Sequence, residues 1–225
     1  MRLKRILVKS AIVVASLLVL AIIVLAILWL AAKVVPDFYA EALAVDPAGQ
    51  RTANDTLIQK ATVLVSDVQK TGKWEALFTE QEVNAWLAVD LKENHGASLP
   101  SGIADPRIVI EPDGLQIACR ARRGGIETIL SVAIDAYLAE PGVVAIRIRR
   151  ARAGILPLPL ANILELISDM GDRKGLRIRW QQADGDPVAL VSVNPVVKGN
   201  KSVVLDELEI AESEVYLSGT TDKSR

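Results

Sequence analysis

An uncharged apolar run of 22 residues, Ala11 to Ala32, dominates the hydropathy pattern. It is preceded by Arg2, Lys4, Arg5 and Lys9 and followed by Lys33, Asp37, Glu41 and Asp46. As a helix rising about 1.5 Å per residue it would span about 33 Å, matching a hydrocarbon core about 30 Å thick, so it reads as a transmembrane anchor. The basic excess on its N-terminal side predicts a cytoplasmic N-terminus and an exported remainder from about Val35. A cleaved signal peptide fits less well. Its apolar region is usually about 7 to 15 residues long, whereas the A-x-A triplets at Ala40 to Ala42 and Ala42 to Ala44 lie well past this run. Trp29, near the outer end, suits the interfacial position of indole rings.

Beyond the anchor, "VPDFYAEALA" reads as a short juxtamembrane helix with Pro36 in its first turn, ended by "VDPAGQ". Over 53–71, Leu57, Ile58, Ala61, Leu64, Val65 and Val68 recur at spacings of one, three and four, which predicts an amphipathic helix stopped by Gly72. In "FTEQEVNAWLAVDL", Thr79 and Glu82 form a capping box and Phe78 and Val83 a hydrophobic staple, so a helix starts there with Val83, Trp86, Leu87 and Leu91 inward. Asn84 shares the side of Leu87 and Leu91. Its amide is expected to be partly buried, and a bond to a nearby backbone carbonyl is preferred over a ligand contact.

From Arg107 the period falls to two. Strands over 107–111, 115–123, 126–138 and 142–152, separated by "PDG", "GG" and "PG", predict an antiparallel meander. In the third strand Ile126, Thr128, Leu130, Val132, Ile134, Ala136 and Leu138 share one face, expected to be core, and Glu127, Ser131 and Asp135 the other, partly wet one. "AGILPLPLANILELISDMG" then predicts a helix with Pro159 at its first position, a stripe of Leu160, Ile163, Leu164 and Ile167, and Gly171 as its stop. Hairpins over 176–181 with 187–193 and 203–210 with 214–219 follow, before a frayed tail at 221–225. The predicted fold class is α+β. A cytoplasmic tip and anchor occupy 1–35, a juxtamembrane helix and linker 36–52, and one exported domain 53–220, where two to four helices pack a curved antiparallel sheet.

Charge and chemistry narrow the function classes. Residues 1–35 carry five of the 26 basic residues and none of the 27 acidic ones, which leaves the remainder formally at −6 and argues against general nucleic-acid binding and against adhesion to an anionic lipid surface by net charge. The single cysteine, Cys119, excludes an intramolecular disulfide and alternates with Leu115 and Ile117, which reads as a buried thiol rather than a nucleophile. Sequons stand at Asn54 and Asn200. His95 is the only histidine, in the polar loop "ENHGASLP", so neither a multi-histidine metal site nor an ordered His-based triad is expected. No phosphate-binding glycine loop or nucleophile elbow occurs, and no cofactor or catalytic residue is assigned.

One charge cluster stands out. Arg120 and Arg122, Arg147 and Arg149, and Arg177 and Arg179 are each two residues apart, so each pair projects from one strand face. Brought together they would make a basic stripe for a phosphate or carboxylate head group. The plainer reading, preferred here, is a solvated face in which they pair with Glu127 and Asp135.

At "FTEQEVNAWLA", "RAGILPLPLANILELI" and "VVLDELEIAESEVYLSG" the chain resembles the YpmS-type family of bacterial proteins with a single N-terminal membrane anchor. The matching positions are Thr79, Asn84, Leu87, Gly154, Leu156, Leu158 and Pro159, then Asp206 to Leu208. The resemblance implies an envelope-facing α+β domain, with a plan similar to curved-sheet lipid-binding modules, and brings no catalytic residues. The leading expectation is a non-catalytic, membrane-anchored envelope protein that binds a lipid or other apolar ligand near the outer face of the membrane. An assembly factor for an envelope protein complex is the alternative, and an envelope hydrolase comes third.

Overall fold

The computed structural model describes residues 2–44, 47–173, 176, 178–193 and 201–223. Helix α1 (Arg2–Ala32) opens the chain, followed by α2 (Asp37–Leu43) and α3 (Pro47–Val68). Then come β1 (Gly72–Thr79), α4 (Glu80–Ala88), α5 (Asp90–Asn94), β2 (Ile103–Glu111), β3 (Gly114–Arg123), β4 (Ile126–Glu140), β5 (Val143–Ala153) and β6 (Leu156–Pro157). The chain closes with α6 (Leu160–Arg173), β7 (Ile178–Ala183), β8 (Asp186–Ser192), β9 (Lys201–Ala211) and β10 (Glu214–Lys223). The fold is α+β, with two antiparallel sheets instead of one. A three-stranded sheet has the order β1-β10-β9, and a seven-stranded one the order β2-β3-β4-β5-β8-β7, with β6 paired to β5.

Within the span Ser16–Leu43 an 18-residue window of mean hydropathy 2.9, none of it buried within the protein, is long and apolar enough to cross a membrane. In segment 36–52, expected to hold a juxtamembrane helix and a linker, the helix is α2, and it packs on the domain. Tyr39 of α2 is fully buried against Ala118 and Ile129 and donates its hydroxyl to the Asp105 carbonyl at 2.7 Å. Arg107, only 7% exposed, donates through Nε to the Ala42 carbonyl, one of those left unpaired at the C-terminal end of α2. Burial holds this guanidinium below the usual arginine pKa. Helix α3 begins at Pro47, not near Ala53, because proline is well suited to a first helical turn.

Strand β1 lies where the sequence predicts no element. Its period of two is present, with Trp74, Ala76 and Phe78 more buried than Lys73, Glu75 and Leu77, but it is squeezed between two strong helix signals. Strand β10 runs on to Lys223, and Thr221 is fully buried with its hydroxyl on the Val68 carbonyl at 3.0 Å, so position 221 belongs to the core and not to a frayed tail.

The second face of β4 is partly wet, as expected, with the Glu127 and Asp135 side chains 42% and 30% exposed, but it carries core as well. Ile129 lies under α2, on the face that carries Glu127, Ser131 and Asp135. On the opposite face Leu138 and Val144 pack with Val68, Trp74, Val203 and Leu205, where α3 and the smaller sheet meet the larger one. Helix α6 covers that face too, with Trp180 Nε1 donating to Ser168 Oγ at 2.9 Å. It starts just after Pro159 and runs past Gly171 to Arg173.

Candidate functional site

The arginines do not assemble as a basic stripe, and the carboxylates they meet include Glu127 and Asp135, the partners in the preferred reading of the sequence. Arg122 donates to Glu127 at 2.5 Å, and Arg120 stands 3.5 Å from Asp105 and 3.7 Å from Glu127. Arg147 meets Asp186 at 2.8 Å and Asp184 at 3.3 Å, while Arg149 meets Asp135 at 2.8 Å. The hydrogen bond from Arg122 holds the Glu127 carboxyl below its usual range, and the bond to Asp186 raises the already high pKa of Arg147. Arg179 is exposed on β7, apart from the others, and Arg177 lies outside the described residues. Four of the six are thus committed to carboxylates.

The segment around Thr79 has a structural role. Glu82 N–H donates to Thr79 Oγ1 at 3.3 Å and Thr79 N–H to Glu82 Oε2 at 3.0 Å, completing the capping box. Burial alone would push the Glu82 carboxyl up, but Lys60 Nζ at 2.7 Å and the Thr79 N–H outweigh it and hold it below its usual range. Asn84 gives Nδ2 to the Ile108 carbonyl at 2.7 Å and accepts the Ile108 N–H through Oδ1 at 2.9 Å. Glu80 accepts the Ile110 N–H at 2.7 Å. Helix α4 therefore caps the open edge of the seven-stranded sheet with side chains, where a further strand would otherwise pair. Trp86, expected in the core, is only half-buried, with its ring centroid 6.0 Å from that of His95.

Gly154 is the joint between anchor and domain. It has φ +58°, and a Cβ there would sit 2.4 Å from the Ala31 carbonyl oxygen, so only glycine lets the end of α1 approach. Ile155 N–H donates to that carbonyl at 3.1 Å, and Thr128 Oγ1 donates to the Ala32 carbonyl.

The feature with binding character lies at the other end of β4. A groove of about 530 Å³ is lined, among the described residues, by Leu64, Val65, Val68, Gln69, Trp74, Ala136, Val144, Val193, Val203, Leu205, Leu208 and Leu217, none of them charged. The Trp74 ring lies so close over Gly219 that a Cβ there would be 2.1 Å from it. From Thr128, beside the end of α1, the positions Leu130, Val132 and Ile134 share a face and lead to Ala136 in the groove, about 26 Å away at about 3.3 Å per residue.

A second cavity of about 660 Å³ beside α4 gathers Glu41, Glu80, Glu111, Glu212 and Glu214. Among the described residues no group of three or more His, Cys, Asp or Glu is arranged to hold a metal ion. Cys119 is half-buried, and burial pushes its thiol up to about 11, which disfavours the thiolate a nucleophile needs. Asn54 is only 5% exposed, a poor glycan acceptor, and Asn200 lies outside the described residues.

Sequence reasoning missed Trp74 and the groove because β1 itself was missed. It also missed Arg150 and Arg152. A bulge in the pairing of β4 with β5, where Ala133 faces Arg150 and Ile134 faces Ile148, shifts the phase of "RIRRARA" so that spacing alone cannot sort its four arginines.

No family model, curated protein or solved structure matches the chain. What the fold defines is a class: an α+β domain of two antiparallel sheets, joined through Gly154 to the end of a helix able to cross a membrane.

Proposed function

We propose that this chain is a non-catalytic, single-pass membrane protein of the cell envelope, whose exported domain holds the apolar chain of a lipid or lipid-like ligand. The observation that carries this reading is the uncharged aliphatic groove, joined to the anchor end of the sheet by the apolar face of β4. Such a site suits an alkyl chain, since hydrophobic lining gives affinity and polar placement is needed only for orientation. Its distance from α1 moves the binding site away from the membrane face where the sequence reading put it. A ligand would have to leave the bilayer to fill the groove, which suits a carrier or acceptor.

An assembly factor for an envelope complex would draw instead on the outward side of α3, where Ile58, Val63 and Val65 are 40%, 53% and 63% exposed. A hydrolase has less behind it. The carboxyls with displaced acidity, Glu82 and Glu127, are both displaced downward, opposite to what a general acid requires.

Energy transfer tests the groove directly. With Trp29, Trp86 and Trp180 replaced by Phe, Trp74 is the only one of the four tryptophans left. A conjugated polyene fatty acid bound in the groove should quench Trp74 saturably, and Val65→Glu at the exposed mouth should abolish the effect. Quenching that is unsaturable, or equal in the Val65→Glu chain, counts against the proposal.

A further inference from the structure

We infer that the anchor end of the seven-stranded sheet is a lipid-headgroup seat, in which Arg150 and Arg152 hold the phosphate of a phospholipid in the leaflet that α1 leaves. The inference stands apart from the groove and rests only on α1 crossing the bilayer. Three observations on different elements converge on it.

The first concerns pairing. Of the arginines on β5, Arg147 and Arg149 are bound to carboxylates, whereas Arg150 and Arg152 are exposed and have no hydrogen bond or ion pair among the described residues. The second is shape. Both line a cavity of about 300 Å³ together with Val34, Val35, Pro36 and Asp37, the chain leaving the membrane helix. Asp37 is the only acid lining it and forms no ion pair with either arginine among the described residues, so the cavity keeps a net positive charge. The third is position. Hydrogen bonds from Ile155 and Thr128 to the Ala31 and Ala32 carbonyls fix the cavity within a turn of the end of α1. Ile155, which also lines the cavity, is 54% exposed.

Each part has a use at a membrane surface. Guanidinium groups bind phosphate oxygens in a bidentate fork, and the interfacial zone is where anionic headgroups lie. The exposed Ile155 on the rim would rest among the upper acyl carbons, where burial is favourable and exposure to water is not. Trp29, with Lys33 Nζ 3.7 Å from its ring centroid, marks the same level on the helix. A phosphate there would give the domain a second attachment to the membrane beside the joint at Gly154.

The test uses the full chain in nanodiscs of phosphatidylglycerol and phosphatidylethanolamine, carrying a photoactivatable group on the headgroup. Crosslinks mapped by peptide mass spectrometry should concentrate on residues 150–155. In the double variant Arg150→Gln, Arg152→Gln they should fall on the order of tenfold, as expected for two surface arginines. Arg179→Gln, on the remote strand β7, should leave them unchanged. Both substituted arginines are exposed and unpaired, so the melting temperature should stay at the wild-type value and confirm that the variant is folded. Equal crosslinking in the double variant, or crosslinks elsewhere in the wild type, would overturn the inference. Competition by millimolar inorganic phosphate that removes the crosslinks would also overturn it, by making the pair a site for a free anion.

Discussion

Asn84 gives both ends of its amide to a single residue, bonding the N–H and the carbonyl of Ile108 as a neighbouring strand would. Removing it leaves two strand-edge groups without partners in a mostly buried position, so Asn84→Ala should lower stability by about 2 to 4 kcal/mol in urea unfolding. A loss below about 0.5 kcal/mol would show that water replaces the amide without cost. Glu82 makes a pH-dependent contribution. Its folded pKa is lowered, so the stabilisation is fully present above the unfolded value, here 4.5, and is lost as pH falls through the lower folded value. The melting temperature of the wild type should therefore drop on acidification more steeply than that of Glu82→Gln, and parallel curves would contradict the assignment. Neither role requires a ligand.

At the scale of elements, local chemistry sorts the substitutions in and around α4. Thr79→Ala, removing a cap, should cost about 1 kcal/mol. Trp86→Ala, expected from the sequence alone to empty a core position, should cost about 2 to 3 kcal/mol, since the ring is partly exposed beside His95. Trp74→Ala should cost about 3 to 5 kcal/mol, because that ring is buried among Val68, Val203 and Leu205. Calorimetric unfolding of the three variants checks the order. The same elements show what is legible in a sequence. The capping box, the meander and the α6 stripe are local patterns, readable because hydrogen-bond partners and turns lie within a few residues. Strand β1 was hidden because its partner β10 lies more than a hundred residues away, so that only tertiary pairing tells it from a loop. The arginine pairs were legible as a pattern, but which of them found carboxylates depended on a bulge and on the distant Asp184 and Asp186.

For the whole molecule, the anchor and the domain form one mechanical unit if the close approach at Gly154 is kept. The topology reading predicts that a reporter active only outside the cytoplasm gives signal when fused after Arg225 and none when fused before Arg2; the reverse pattern would place the domain inside. The two ends of β4 then have separate tasks. One end adjoins the end of α1, and the other opens into a groove about 26 Å further along the strand. The central claim is that this groove holds an apolar chain. Native mass spectrometry of the full chain, released from nanodiscs of its host's lipids, tests it most directly. The account predicts that one apolar molecule is retained by the wild type and lost from Val65→Glu at unchanged melting temperature. A wild-type chain that carries nothing, or a variant that carries as much, would contradict it.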